Sequence, residues 1–411
     1  MDKNRHIYIL DEESRASVYG IGTYINLLIE IFKYANVSLH IIKLSSNVEE
    51  VCREEYIGYD VYKIPYMDLR NGVVSEIYYK RAWYLIRLYV DSLQGNSVFV
   101  LNHLIHYMFV ERIRNAFANA KIYFVVHYEN WCFELDGDYS KFVGIISKRR
   151  ETMSSEENFI YELYEYEKKV YEDVDKIISL SEFTYRLIVE HYGIDSGKVR
   201  VINNALNDES FVLSCDERES LKKRLGIGSK EKILLYVGRL DHIKGLHYLL
   251  QSIPLLLRKI SDFKLLVVGD GSIDYYIGMC KEFRGKILFM GHLKKDELYK
   301  LYSISDIGIL PSMHEQCSFV AIEMMMFGLP MIISTTTGLN EMMDNEDFGY
   351  HVAIENKNQG VIDDLANKIY SLLMCSTHRF SKLKLHSKMC FEKKYALCNI
   401  WRDYYEFFDM V

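Results

Sequence analysis

The sequence predicts an α/β protein with two doubly wound, Rossmann-like halves. Short apolar runs alternate with longer helical patterns from one end of the chain to the other, the order expected of strand–helix–strand units. Several runs, such as 7–10 and 233–237, are continuously apolar, as parallel strands covered on both faces require. The length of 411 residues exceeds the roughly 250 to 300 residues that one core fills, so two or three domains are expected.

Read in order, the strands of the first half fall at 7–10, 39–44, 98–102, 122–127, 176–179 and 199–202. Those of the second half fall at 233–237, 264–268, 287–290, 307–310 and 331–334. Apolar residues at helical spacing predict helices over 24–34, 75–92, 156–174, 183–191, 246–258, 296–303 and 319–327. The break falls after 201–207, where an apolar strand end gives way to turn formers and then a charged helix, 216–225. This places a first domain at 1–205 and a second at 206–390. A last helix, 393–408, carries Tyr395, Trp401, Tyr404, Tyr405, Phe407 and Phe408. Such a helix needs a surface to dock on, so 391–411 is expected to pack back on the first half. The four prolines leave no Pro-rich linker.

Hydrophobic residues make up 49% and charged residues 26%, with a net charge of -7. That balance excludes disordered, collagen-like and coiled-coil chains, and the acidity argues against broad capture of nucleic acid. The charge is uneven: residues 1–205 hold 24 basic against 30 acidic side chains. The eight cysteines form no CxxC pair, so neither a zinc site nor a redox motif is expected. Reduced thiols, a first apolar run too short for a signal peptide and no stretch of about 18 apolar residues all point to the cytoplasm. Membrane contact is at most peripheral, through Lys148-Arg149-Arg150 or the helix with Tyr78, Tyr79, Lys80, Arg81, Trp83 and Tyr84. A partly buried amphipathic helix accounts for the latter pattern more simply.

The chemistry concentrates in the second half. After the strand at 307–310 come a Pro-Ser turn, a polar loop with Glu315, and a helix beginning near Ser318. The free N–H groups at Ser318, Phe319 and Val320 suit a phosphate. Glu323 lies among apolar neighbours and needs a partner, either ligand hydroxyls or a structural salt bridge. Upstream, a strand runs through Gly238 into a loop holding Arg239 and Lys244. Two cations beyond a strand's carboxyl end clamp a diphosphate, or form an ordinary solvated loop. Gly269 and Gly271 follow the next strand, where glycine lets a ligand approach the backbone. Gly20 and Gly22 are placed alike before the first helix, without the third glycine of a dinucleotide fingerprint.

Taken together, Val237-Gly238-Arg239-Leu240, Lys244-Gly245-Leu246, Val267-Val268-Gly269-Asp270-Gly271-Ser272 and Glu315 with Glu323 seven residues on resemble the retaining glycosyltransferases of family 4, which have the GT-B fold. Ser179-Leu180-Ser181-Glu182, 201–207, Gly20-Ile21-Gly22 and His127 at a strand end extend the resemblance over nearly the whole chain. It is strong from about 176 to 341 and thin from 45 to 120. The family's E-G-F-G is Glu315-Gln316-Cys317-Ser318 here, with Phe319 next, a variant similar to one in a Bacteroidetes-type bacterial subgroup. The family's P-N-G is Asn203-Asn204-Ala205.

The resemblance implies two Rossmann-like domains with an intervening cleft. It implies transfer of a hexose-type sugar from a UDP- or GDP-type nucleotide sugar to an acceptor hydroxyl, with retained configuration and no metal or other cofactor. The acceptor is a saccharide, lipid-linked sugar, small molecule or peptide. By residue, Arg239 and Lys244 would neutralise the diphosphate and Glu323 would bind the ribose. Glu315 would hold the sugar hydroxyls, and amides near Ser318–Val320 would cap the phosphate. His127 would face the sugar from the first domain, and Gly20 and Gly22 would line the acceptor or phosphate loop. Residues 131–155, long and polar after His127, are expected to form an acceptor-facing loop.

Other readings compete. A metal-dependent transferase would use Asp136 and Asp138, or Asp173 and Asp175, as a DxD pair. A NAD-dependent dehydrogenase is disfavoured for want of a strand–GxGxxG–helix unit. A phosphorylase or epimerase on the same scaffold, or a catalytically inactive nucleotide-sugar-binding or scaffold subunit, fits the fold equally.

Overall fold

The computed structural model describes residues 5–13, 20–66, 75–90, 97–354 and 359–410. Residues 91 and 92 of the expected helix 75–92 lie outside them. The chain divides into two compact units: 1–130 with 143–204 and 401–411, and 131–142 with 205–400.

Among the described residues the first unit is built on eight strands: β1 (His6–Glu12), β2 (Ser38–Ser46), β3 (Cys52–Tyr56), β4 (Tyr59–Pro65), β5 (Ser97–Leu101), β6 (Lys121–Val126), β7 (Lys176–Ser179) and β8 (Val199–Val201). Their order is β3-β4-β2-β1-β5-β6-β7-β8. All neighbours are parallel except the β3–β4 hairpin. β1 and β5 are almost wholly buried, as their apolar centres, 7–10 and 98–101, require. In register, Tyr8 lies between His40 and Phe99 and stacks on both rings, at 4.9 and 5.0 Å between centroids. The hairpin escaped the sequence reading because Cys52-Arg53-Glu54-Glu55-Tyr56 is charged. Charge suits an edge strand, where it discourages pairing with a second chain. The chain runs from β1 to β2 on one side and on to β5 on the other, so the topological switch falls between β1 and β5.

Among the described residues the second unit has six parallel strands: β9 (Lys232–Val237), β10 (Phe263–Val268), β11 (Ile287–Gly291), β12 (Ile307–Leu310), β13 (Met331–Ser334) and β14 (Gly349–Val352). Their order, β11-β10-β9-β12-β13-β14, puts the switch between β9 and β12. Helix Leu246–Leu257 buries eight of its residues, and Leu249, Ile253 and Leu256 join the core beneath β9 and β10. β14 was not anticipated, since Gly349-Tyr350-His351-Val352 lacks an apolar run.

The last helix is Leu397–Phe407, shorter than expected because residues 391–395 form a π-helical turn. Residues 401–411 belong to the first unit. There Phe408 meets Phe32 and Tyr123 at 4.9 and 5.3 Å, and Lys176 donates to the Phe407 carbonyl at 2.8 Å. Arg200 pairs with Asp403 and Glu406.

The segment 131–155 is not a polar loop. It contains helices Trp131–Glu134 and Tyr139–Ile146 and a 3-10 turn, Arg150–Thr152. Trp131, Cys132, Phe142 and Ile145 are buried, and the Asp138 carboxylate accepts from Lys141 N–H at 2.9 Å, capping the second helix. Among the described residues no helix is long and apolar enough to cross a membrane.

Candidate functional site

The carboxyl ends of β9 and β12, flanking the switch point of the second sheet, bring together most of the predicted residues. Ligands of open α/β sheets bind at such points. β9 ends at Val237, and the loop beyond it is tied down at once. Gly238 N–H donates to Val268 O at 3.0 Å, and the Tyr236 hydroxyl donates to Arg239 O at 3.2 Å. The Arg239 guanidinium lies 3.1 Å from Asp241 Oδ2.

A 3-10 turn, His242–Lys244, follows and closes at Gly245, where φ is +68°. A side chain at Gly245 would run into the carbonyl of Pro311, so glycine brings the β9 loop against the β12 loop. Across that contact Lys244 Nζ meets Glu315 Oε1 at 2.7 Å, with side-chain exposures of 20% and 15%. Ser312 Oγ donates to the same oxygen at 3.1 Å. The backbone of Glu315 is fixed too. Its N–H donates to Thr337 Oγ1 at 3.0 Å, and its carbonyl accepts from the Thr337 hydroxyl at 2.7 Å and from Gly338 N–H at 2.9 Å. Thr337 and Ser312 carried no sequence signal, because a lone hydroxyl in a turn has too many ordinary uses.

Ser318 caps helix Phe319–Met326, its Oγ accepting from Ala321 N–H at 3.3 Å. Phe319 and Val320 occupy the first turn and are half-buried. Glu323, one turn further, is partly exposed, but its carboxylate accepts from the Tyr302 hydroxyl at 2.7 Å. Burial pushes its pKa up to about 7, against the opposing effects of Tyr302 and Lys295. The partner this acid needs is therefore supplied in part by the protein, from helix Lys295–Ile304. Tyr299 and Tyr302, three apart on that helix, were legible only as core aromatics.

The glycines after β10 work differently from the sequence expectation. Gly269 and Gly271 have φ of +137° and +148°, and the space beside each is taken by the chain's own carbonyls, of Gly238 and Leu240. Leu240 N–H donates to Asp270 O, and Ser272 N–H to Leu240 O, both at 2.8 Å. These glycines thus lace the β9 and β10 loops together.

The two DxD candidates have partners within the fold. Asp136 Oδ1 lies 3.7 Å from His242 Nε2, while Asp138 is the helix cap described above. Asp173 accepts from the Tyr107 hydroxyl at 2.6 Å. Asp175 pairs with Arg114 at 2.8 Å and accepts from Ile122 N–H at 2.7 Å.

In the first unit, Gly20 and Gly22 are not a loop. Both lie in the first turn of helix Gly20–Phe32. His127 follows β6, and its Nε2 is 3.1 Å from Asn102 Oδ1. The Tyr24 ring meets it edge-on at 4.8 Å. Burial, then repulsion from His103, pulls the His127 pKa down to about 3. Beside it is a buried polar cluster that the sequence reading missed. Glu12 accepts from Tyr79 at 2.7 Å and Ser45 at 2.9 Å, and faces His106 Nε2 at 3.3 Å. Burial raises the pKa of Asp11 to about 6. A carboxylate pair ending an apolar strand, Asp11-Glu12, was the signal available.

Residues 18–210 match the family model described as Glycosyltransferase Family 4. Residues 217–383 match that described as Glycosyl transferases group 1. Each half thus carries a glycosyltransferase-family domain. An uncharacterized glycosyltransferase of Methanocaldococcus jannaschii is 32% identical over 186 residues, 44% of this chain and 47% of that protein. The lipopolysaccharide 1,2-N-acetylglucosaminetransferase of Salmonella typhimurium is 28% identical over 201 residues, 46% of this chain and 52% of the relative. The chain spans about half the length of the curated relatives it matches. Among solved structures, sucrose-phosphate synthase from Thermosynechococcus elongatus aligns with a TM-score of 0.75 at 18% identity, covering 99% of this chain and 98% of that one. HepE of Anabaena, in complex with UDP and glucose, aligns with 0.71 at 15%, covering 99% and 100%. At these identities the likeness is one of fold: two Rossmann-like α/β domains of the GT-B type.

Proposed function

We propose that this chain is a glycosyltransferase that moves a hexose-type sugar from a UDP- or GDP-type nucleotide sugar to an acceptor hydroxyl, with retention of configuration and without a metal. The observation that carries the reading is the Lys244–Glu315 pair at 2.7 Å, a cation and an acid from two loops that meet at the switch point of one sheet. Loss of a nucleoside diphosphate needs positive charge where the leaving group's charge develops, and Arg239 and Lys244 supply it. Orienting a sugar needs acceptors for its hydroxyls, and Glu315 supplies one. The capped N-terminus of helix Phe319–Met326 offers amides to the phosphate. Glu323 uses part of its accepting capacity on Tyr302 and has more for the ribose, since a carboxyl group keeps accepting lone pairs in either protonation state.

Two family matches, one in each half, support the reading, as does a relative named for N-acetylglucosamine transfer. The acceptor hydroxyl would attack from the side of the departing diphosphate, with a phosphate oxygen taking its proton. We place the protein in the cytoplasm, where its eight cysteines, none of them in a disulfide among the described residues, stay reduced.

A thermal-shift screen against nucleotide sugars tests the proposal first, because a ligand that binds the native state raises its stability. Radiolabelled transfer with the best donor follows, with and without EDTA. Stabilisation by a UDP- or GDP-sugar and EDTA-resistant transfer are expected. Stabilisation by none of them, or activity abolished by EDTA and restored by a divalent ion, overturns it.

A further inference from the structure

Asn102 lies one residue beyond β5 and is buried. Its Nδ2 donates to the carbonyl of Leu10 at 3.0 Å. A carbonyl oxygen can accept but not donate, so this bond fixes which end of the amide faces β1. The other end, Oδ1, must then face His127 Nε2, at 3.1 Å. An amide oxygen also accepts and never donates, so the proton between them belongs to Nε2. The ring is neutral at ordinary pH, its pKa held near about 3 by burial and by His103. A neutral imidazole with a proton on Nε2 has a bare lone pair on Nδ1. Among the described residues nothing hydrogen-bonds to Nδ1, and the ring is only partly buried.

Asn102 is held from behind as well. Its backbone N–H points at His106 Nδ1, 3.4 Å away, and His106 Nε2 faces Glu12 at 3.3 Å. Glu12 is itself fixed by Tyr79 and Ser45. Burial alone would raise the Glu12 pKa, but His106, Tyr79 and Ser45 together bring it below the usual value. The network thus runs from a fixed anion through His106 and Asn102 to His127, across the carboxyl ends of β1, β5 and β6. Among the described residues, the titratable groups facing the His127 ring are His103 and Tyr24. Burial holds the first neutral, at a pKa of about 3, and the second is an un-ionised phenol whose pKa burial raises.

We infer that Asn102 is a positioning residue that locks His127 in the Nε2–H tautomer, so that Nδ1 receives a hydroxyl of the sugar or acceptor and rejects a phosphate or carboxylate. A lone pair attracts a hydrogen-bond donor and repels an anion, so the group held there is neutral or cationic. The identity of that hydroxyl rests on the glycosyltransferase reading; the tautomer rests on the hydrogen bonds alone.

Two measurements test this. The first is long-range proton–nitrogen NMR of the histidine-labelled chain, with His127 assigned by its loss in His127→Ala. The neutral Nε2–H pattern is expected; an Nδ1–H ring or an imidazolium at about pH 7 overturns the inference whether or not the chain transfers sugar.

The second compares Asn102→Ala and Asn102→Asp, each first shown by thermal unfolding to be folded. In Asn102→Ala, turnover should fall by about tenfold, a loss of one decade of transition-state stabilisation, with donor KM nearly unchanged. In Asn102→Asp a carboxylate faces Nε2, favours imidazolium and raises the His127 pKa. Protonation then fills Nδ1, so this variant should lose activity as pH falls and regain it as pH rises, a limb absent from the parent. A pH profile parallel to the parent's overturns the inference. Donor hydrolysis without acceptor assigns the hydroxyl: loss there puts it on the donor sugar, and loss confined to transfer puts it on the acceptor.

Discussion

Gly245→Ala should weaken the second unit by about 3 kcal/mol. Part of that is conformational: a side chain at φ +68° costs about 1 to 2 kcal/mol in the left-handed region. The rest comes from where the methyl points. It would be driven into the carbonyl oxygen of Pro311, which is backbone and cannot rotate aside, and relief of such overpacking costs typically about 1 to 3 kcal/mol. For a unit of this size each kcal/mol lowers Tm by about 2 to 4 °C, so a fall of about 6 to 12 °C is expected. Gly226→Ala is the control. Gly226 has nearly the same φ, +66°, with nothing within 4 Å of the added methyl, so it carries the conformational cost alone. Urea and thermal unfolding of both variants, followed by circular dichroism, separate the two contributions. If Gly245→Ala is no less stable than Gly226→Ala, the Pro311 contact does not hold the two site loops together, and the account of how Lys244 reaches Glu315 fails with it.

Phe408→Ala should destabilise the first unit by about 3 to 5 kcal/mol, the cost of emptying a buried aromatic site; unchanged unfolding would mean the C-terminal residues are not part of that core. Glu323→Gln tests linkage. The folded pKa of about 7 lies above the unfolded value, so the native state holds an extra proton between about pH 4.5 and 7 and loses stability as pH rises through that window. The variant lacks that loss, so its stability relative to the parent should climb with pH, and a constant difference would refute the raised pKa. Glu315→Gln and Lys244→Met should part company by calorimetry with the nucleoside diphosphate that the screen selects. The first frees Lys244 and leaves affinity equal or higher, while the second lowers it by about tenfold, the loss of a charge-assisted contact; a tenfold loss in Glu315→Gln would refute the pairing argument.

Strands with an apolar centre were legible almost to the residue: 176–179, 307–310 and 331–334 coincide with β7, β12 and β13. Burial on both faces leaves no other use for such runs. The β3–β4 hairpin and β14 were not legible, because edge strands carry whatever their solvent face tolerates. The site divides the same way. Arg239, Lys244, Glu315 and Ser318 were found because charged or capping residues just past an apolar strand stand out. Thr337, Tyr302 and Asn102 were missed because each is an ordinary residue whose role comes from a partner 21 to 92 positions away. Long-range partners leave no local pattern.

The same distinction applies to the glycines after β10. A strand ending in Gly269 and Gly271 invites a ligand on paper, but two loops leaving adjacent parallel strands must themselves pass close together. Glycine serves that need first, and the carbonyls of Gly238 and Leu240 fill the room. The cations follow a like rule: Arg239 and Lys244 stand beside Asp241 and Glu315, so their charge is balanced within the fold. A diphosphate would therefore compete with two carboxylates rather than meet bare cations. Binding then depends on the doubly charged ligand offering each cation more than its carboxylate does, which favours a diphosphate over a singly charged anion of the same size.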